Sequence, residues 1–328
     1  GTNATAGTGG GGTSATGGTG GTDAGGSGAS GEGNNAGASG DSPMAGAGGE
    51  GGAPTAVDDG FGSGLDGVLS VDGEIDISVH NSGARTCADG GDAVSYSLSA
   101  LTSTSATLTS TPAAGCLAAG DEVLLINLQG TVGAHDDVGN YETLKIASVV
   151  DGTVTFTAAK TRFYGDTAAD DTNIGVARNQ QRVMLQRVPQ YSNVTIAAAG
   201  SLTAGAWDGV KGGVLFFRAS GTVNVAGAIN MSGKGYAGGA RTTVVNTTGS
   251  QGESIAGLGI AMEAPNQGGG GGGIGDGNSC NSYGAAAAGG GYATPGDDGT
   301  NACSGNGGQS YGEASVRLER MLGSGGGA

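Results

Sequence analysis

Four cysteines, two histidines and a scatter of aspartate-bearing turns are the residues with which this chain could do chemistry. The cysteines stand at 87, 116, 280 and 303, in two sequence-local pairs, with only His80 and His135 as nitrogen partners. A zinc cluster needs closer spacing and more imidazole. The pattern therefore reads as two disulfides, Cys87 with Cys116 and Cys280 with Cys303, closed in an oxidising compartment. Four reduced, buried thiols are the alternative.

Glycoside cleavage needs two carboxylates about 5–9.5 Å apart beside a sugar-binding cleft. Asp121, Glu122, Glu142 and Asp208 are the candidates, with Trp207 as the single indole able to stack on a ring. Trp207-Asp208-Gly209 reads more simply as a turn whose indole packs on its neighbours. His135-Asp136-Asp137 lies in a loop, where adjacent side chains diverge, and reads as a solvated turn. Asp58-Asp59-Gly60, Asp170-Asp171 and Asp297-Asp298-Gly299 match no calcium loop, and ordinary turn formation explains the Asp-Gly pairs. No cofactor is expected, and calcium has no positive support. Lys211-Gly212-Gly213 lacks the strand, helix and Ser/Thr of a phosphate-cradling loop, and no nucleophile elbow is present. On these grounds the sequence reads as that of a non-enzyme.

The 328 residues carry a formal net charge of −16, with no lysine or arginine before Arg85. Nucleic acids and anionic membranes are bound largely through cationic clusters, so neither is an expected partner. No apolar run approaches the roughly 20 residues that span a bilayer. The Gly/Thr/Ser tract at residue 1 resembles the tether behind a signal-peptide or lipoprotein cleavage site, which leaves a lipid anchor open.

Glycine marks the elements that must position these groups. Residues 1–60 hold 23 glycines, and the next 172 residues hold only 22. The first tract has no apolar period and reads as a low-complexity tether. Residues 61–180 show two-residue alternation, with Asp151-Gly152 as a hairpin turn, and read as a β-sandwich or small barrel. Residues 181–235 carry short, closely spaced strands, the pattern of β-solenoid rungs. From 236 to 328 glycine returns, now with an uninterrupted run at 268–273 and tyrosines at 236, 283, 292 and 311. Extended three-residue-per-turn helices, whose backbone groups pair laterally, could order such a segment with almost no apolar core. The fold class is all-β with a polyglycine-helix type of C-terminal region; a disordered tail is the alternative.

The stretches GDEVLLINLQG, VGNYETLKIASVVDGTVTF, RVPQYSNVTI, WDGVKGGVLFFRASGTVNVAGAINMSGKGYAGG and YGEASVRLERMLGSGGGA together resemble glycine-rich secreted surface proteins of myxobacteria and their relatives, some labelled adventurous gliding motility protein. That resemblance implies an exported role and carries no catalytic residues with it. The glycine-rich end is also similar to the polyglycine tips of phage tail-fibre adhesins, which implies receptor-binding loops between glycine helices. The expectation is an extracellular or cell-surface structural and adhesive protein within a larger assembly. Binding would use exposed Tyr236, Tyr283, Tyr292 and Tyr311 with Trp207, towards a surface glycan, a protein receptor or further copies. A self-assembling filament subunit and a β-solenoid carbohydrate-active enzyme are the alternatives.

Overall fold

The computed structural model describes residues 60–83, 85–240, 247–262, 264–273, 286–300, 303–311 and 321–328. The chain divides into two units, Gly1–Pro54 and Thr55–Ala328, and the described residues all belong to the second. The tether assigned to residues 1–60 therefore lies outside the described residues, apart from Gly60. Among the described residues there are strands and no helix, so the fold is all-β.

Six antiparallel strands close into a barrel. They are β3 (Ser95–Leu101), β4 (Ser105–Leu108), β5 (Glu122–Gln129), β6 (Tyr141–Val150), β7 (Thr153–Phe156) and β8 (Arg182–Arg187), joined in the order β3-β4-β7-β6-β5-β8. Asp151 and Gly152, both at positive φ, make the tight turn between β6 and β7. Such a turn matches the right-handed twist of its strands, and Asp-Gly tolerates the backbone that it needs. In β5 the continuous apolar run is explained by burial on both faces. Val123 and Leu125 fill the barrel with Leu98, Ile146, Phe156 and Tyr164, while Leu124, Ile126 and Leu128 face a second core outside it. The Cys87–Cys116 disulfide packs into the barrel core. It closes a 29-residue separation, for which lost chain entropy gives about 3–4 kcal/mol of stabilisation. Cys303 is also disulfide-bonded, whereas Cys280 lies outside the described residues.

A parallel stack of three rungs is built from both sides of the barrel in sequence. The first rung is β1 (Gly67–Val71) with β2 (Glu74–Asp76); the second is β9 (Gln190–Ile196) with β10 (Ser201–Thr203). The third comprises β11 (Arg218–Ala219), β12 (Val223–Val225) and β13 (Ala228–Ile229). Pairing aligns Leu69, Val194 and Val223 in one column, Val71, Ile196 and Val225 in the next, and Ile75, Leu202 and Ile229 in a third. Stacked rungs of this kind are the solenoid expected for 181–235. The grouping differs at two places. The first rung comes from residues expected to form part of the barrel domain, and β8, expected in the solenoid, closes the barrel instead.

Among the described residues beyond 235 the glycine-rich segments lie side by side with isolated antiparallel bridges and no strands. Backbone donors recur every third residue: Tyr236 and Gly239 donate to Gly323 and Gly326, Gly249 and Gly252 to Gly273 and Gly270, and Gly305 and Gly308 to Ala286 and Gly289. This is the lateral pairing of extended threefold helices. Residues 268–273 sit at the centre, all buried, and bond to segments around 249–252, 288–291, 306 and 325–328. A helix with neighbours on all three faces has no face left for a side chain. A Cβ on Gly269, Gly270 or Gly272 would overlap the carbonyl oxygen of Gly252, Ala288 or Gly249 respectively. That is the physical reason for six consecutive glycines.

Candidate functional site

Three of the aromatic residues expected to bind a partner, Trp207, Tyr236 and Tyr311, pack in the core that fastens the glycine bundle to the barrel. Trp207 and Tyr236 are 8% and 6% exposed and pack edge to face, with ring centroids 5.7 Å apart. The Trp207 indole N–H donates to Glu253 Oε1 at 2.9 Å, and the Gln129 amide donates to the same oxygen at 2.9 Å. The Ala237 N–H donates to Glu253 Oε2 at 3.0 Å. The Tyr236 hydroxyl donates to the Leu128 carbonyl, and burial, followed by the electrostatic influence of Tyr311 and Glu253, raises its pKa. Tyr311 donates to the Leu322 carbonyl and packs edge to face on Tyr292 at 5.3 Å. Together with Leu124, Ile126 and Leu128 these groups form the core between barrel and bundle. The expectation of an exposed ring is thus corrected for Tyr236, and the Trp207 indole, read from the sequence as that of a packed turn residue, is buried. A buried tyrosine needs a partner for its hydroxyl, and here the partner is backbone. Tyr283 lies outside the described residues.

Three of the four carboxylates considered for glycoside chemistry are consumed by protein partners. Asp121 takes both terminal nitrogens of Arg85 at 2.6 Å. Glu122 is held by Arg218 at 2.6 and 2.7 Å and by Gln190 at 2.8 Å. Glu142 accepts from Thr161, Arg162 and Tyr164. Asp208 differs, because it lines a pocket.

That pocket, about 180 Å³ in volume, lies where the first and second rungs leave the stack and meet the barrel. Ser78, Asp89, Ser95, Gln186, Asp208 and Lys211 supply its polar lining. Asp89 uses Oδ2 to accept from the Ala113 N–H at 2.6 Å and the Tyr96 hydroxyl at 2.7 Å. Those two bonds, Ala113 first, hold its carboxyl below the usual range, so it is an acceptor at neutral pH. Asp208 spends Oδ1 on the N–H groups of Val210 and Lys211, both at 2.9 Å. Each carboxylate thus retains a second oxygen. Lys211 Nζ donates to the Ser95 carbonyl at 2.8 Å and lies 6.0 Å above the Tyr96 ring.

Gln186 is the telling residue. The residue is 3% exposed, and its side-chain amide, without a hydrogen-bond partner among the described residues, opens on the pocket. An amide that opens on a pocket without a protein partner keeps its donors and its acceptor for whatever fills that pocket. Amide, ammonium and carboxylate oxygens together form the lining that orients a small hydroxyl-rich ligand. Asp89, Gln186 and Lys211 were not singled out from the sequence as binding groups. The one available signal was a glutamine inside the doubly buried strand β8.

No family model matches this chain, and no curated protein matches it. The resemblance to myxobacterial surface proteins is therefore without support from either comparison. Three solved structures match, all phage tailspikes. The tailspike gp61 of Pseudomonas phage phi297 is 18% identical, with a TM-score of 0.19, over 46% of this chain and 23% of its own. For the tailspike gp49 of Pseudomonas phage LKA1 the figures are 18%, 0.19, 43% and 23%. The Gp54 tailspike of Acinetobacter baumannii bacteriophage AP22, in complex with A. baumannii capsular saccharide, gives 14%, 0.19, 48% and 27%. The matched region spans about a quarter of each tailspike, and the fold stated above rests on the strand pairing itself. The expectation of a non-enzyme is corrected: the matches found are tailspikes, one of them with a saccharide, and that expectation is not retained.

Proposed function

We propose that this chain is a secreted, surface-exposed carbohydrate-binding β-protein, and that the pocket between barrel and stack holds one sugar residue. The Gln186 side-chain amide, which opens on the pocket with no hydrogen-bond partner among the described residues, carries the reading, because a sugar hydroxyl would complete its hydrogen bonding. The open oxygens of Asp89 and Asp208 add two acceptors suited to hydroxyl donors. The Cys87–Cys116 disulfide supports export to an oxidising compartment.

Calorimetric titration with capsular oligosaccharides and their component monosaccharides tests it. Asp208→Ala and Gln186→Leu are each expected to weaken binding at least about tenfold, roughly 1.4 kcal/mol, with no change in barrel stability for the exposed Asp208 site. Unaltered affinity in both variants, or no binding by the native chain, would sink the proposal. Product analysis of the same mixtures reports whether bound saccharide is also cleaved.

A second reading, a subunit of a self-assembling filament, draws on the third rung. Val223, Val225 and Ile229 continue the buried apolar columns but are 44%, 46% and 48% exposed, on strands that pair on one side only. An open, apolar sheet edge is a template for strand addition. Sedimentation velocity is expected to show association at high concentration and moderate salt that Val225→Lys abolishes. A monomer throughout would rule this reading out.

A further inference from the structure

Outside the pocket, Asp137, in the loop 131–140 between β5 and β6, is the one buried carboxylate among the described residues with an oxygen left without a hydrogen-bond partner. It is 6% exposed, and its Oδ2 is buried with no hydrogen-bond partner. The other oxygen accepts from Asn140 Nδ2 at 3.0 Å. The charges around it are mostly negative. Asp136 adjoins it on the same loop, and Asp170 and Asp171 act on it from the loop 163–173. Asp170 is engaged by the hydroxyls of Thr167 and Thr172, and Asp171 by Lys160 at 2.6 Å and the Tyr164 N–H. Arg162 reaches the cluster only through Asn140 Oδ1, and His135 turns to the Thr131 carbonyl. No cation is paired with Asp137 among the described residues.

An ionised carboxylate so placed is costly, because burial and like charges both oppose it. A proton removes both penalties at once, the buried charge and the repulsion from its neighbours. Among the described residues no three Asp, Glu, His or Cys side chains converge on a point that could hold a metal ion. We infer that Asp137 is a proton-operated latch, which closes the loops 131–140 and 163–173 on each other when it carries a proton and loosens them when it does not. Protonated, Oδ2 becomes a donor and the repulsion from Asp170, Asp136 and Asp171 is relieved.

The latch sits on the joint that carries the glycine bundle. Val138, the next residue, belongs to the core between barrel and bundle, and the Gly130 N–H donates to the Ile255 carbonyl of a bundle turn. Burial first, then Asp170, Asp136 and Asp171, push the Asp137 carboxyl up from 3.8 to about 6. The sign follows from proton uptake. The folded chain holds this proton more tightly than the unfolded one, so its contribution to stability is complete below about pH 4. It is lost as pH rises to about 6.

Hydrogen exchange of the full chain at pH 5 and pH 7.5, corrected for intrinsic rates, tests the latch against Asp137→Asn and Asp170→Asn. In the native chain, protection of 131–140 and 163–173 is expected to fall roughly tenfold or more between the two values. Asp137→Asn should abolish the fall and keep both loops protected at pH 7.5. Asp170→Asn, which removes one repelling charge, should move the midpoint downwards without abolishing it. Equal pH dependence in the native chain and Asp137→Asn would overturn the proposal. So would restoration of protection at pH 7.5 by millimolar calcium, which would identify a metal ion as the missing partner.

Discussion

Arg187→Ala is expected to cost roughly 3–5 kcal/mol of stability, which would leave little of a typical domain's margin. Arg187 is buried at the end of β8 and holds together three parts of the chain. Its Nη2 donates to both oxygens of Asp66, at 2.7 and 2.9 Å, and its Nη1 donates to the Asp92 carbonyl at 2.9 Å. Nε lies 3.6 Å from Asp121. Asp66 stands just before the first rung, Asp92 just before β3, and Tyr191 of the second rung donates to Asp92 at 3.0 Å. Truncating the arginine leaves buried Asp66 with its charge and only the Gln190 N–H at 2.6 Å. Arg187→Lys should recover little, because a single ammonium cannot reach the Asp66 carboxylate and the Asp92 carbonyl at once, as the two terminal nitrogens of the guanidinium do. Arg187→Met combined with Asp66→Leu should recover most of the loss, since the cost is that of an unpaired charge. Urea unfolding of the four proteins checks this order, and equal stability for Arg187→Ala and the native chain would contradict it.

The second large effect belongs to the central glycine helix. Gly270→Val is expected to dismantle the bundle while the barrel persists. A side chain there overlaps the Ala288 and Gly289 carbonyls, and no flexible neighbour can yield, because every contact is backbone. Overpacking a well-filled interior usually costs about 1–3 kcal/mol. Here it also breaks the bonds from Gly252 to Gly270 and from Gly270 to Gly325, so the upper end of that range or beyond is expected. Gly323→Ala is the control: a Cβ at that position meets nothing within 4 Å. Loss of amide protection at 249–252, 288–291 and 325–328 in Gly270→Val, with β5 and β8 still protected, is the expected pattern. Full protection of those segments would contradict the threefold-helix account.

Much of this fold was legible in the residues, and the reasons are local. Alternation in β6 and β7 and the Asp151-Gly152 turn are short-range signals, and both appear in place. The run at 268–273 announced close backbone approach, because only glycine permits it. What stayed hidden depends on distant pairing. Val71 pairs with Ile196 across the whole inserted barrel, and nothing in either strand names its partner. In RVMLQRV the pattern of a strand buried on both faces suits a solenoid rung and a barrel stave equally well, which is how β8 came to be grouped with the wrong neighbour. The tyrosines could be recognised as important but not as internal, since aromatic side chains serve cores and surfaces alike, whereas Trp207 in its Trp-Asp-Gly turn already read as packed.

The candidate pocket was half visible. Asp208 stood out beside the only tryptophan, yet its partner carboxylate is Asp89, a turn residue after Cys87, and not one of the strand-borne acids. Gln186 reaches the pocket because β8 pairs with β3 and places Gln186 opposite Ser95. Only the closed barrel brings those groups together.

The most direct test of the pocket follows the Gln186 side-chain amide by ¹⁵N–¹H nuclear magnetic resonance, assigned through Gln186→Leu, while capsular oligosaccharide is added to the native chain. A saturable shift of that resonance, fitting the same dissociation constant as the Lys211 backbone amide, is the expected result. Saccharide binding that leaves both signals unmoved would contradict the account.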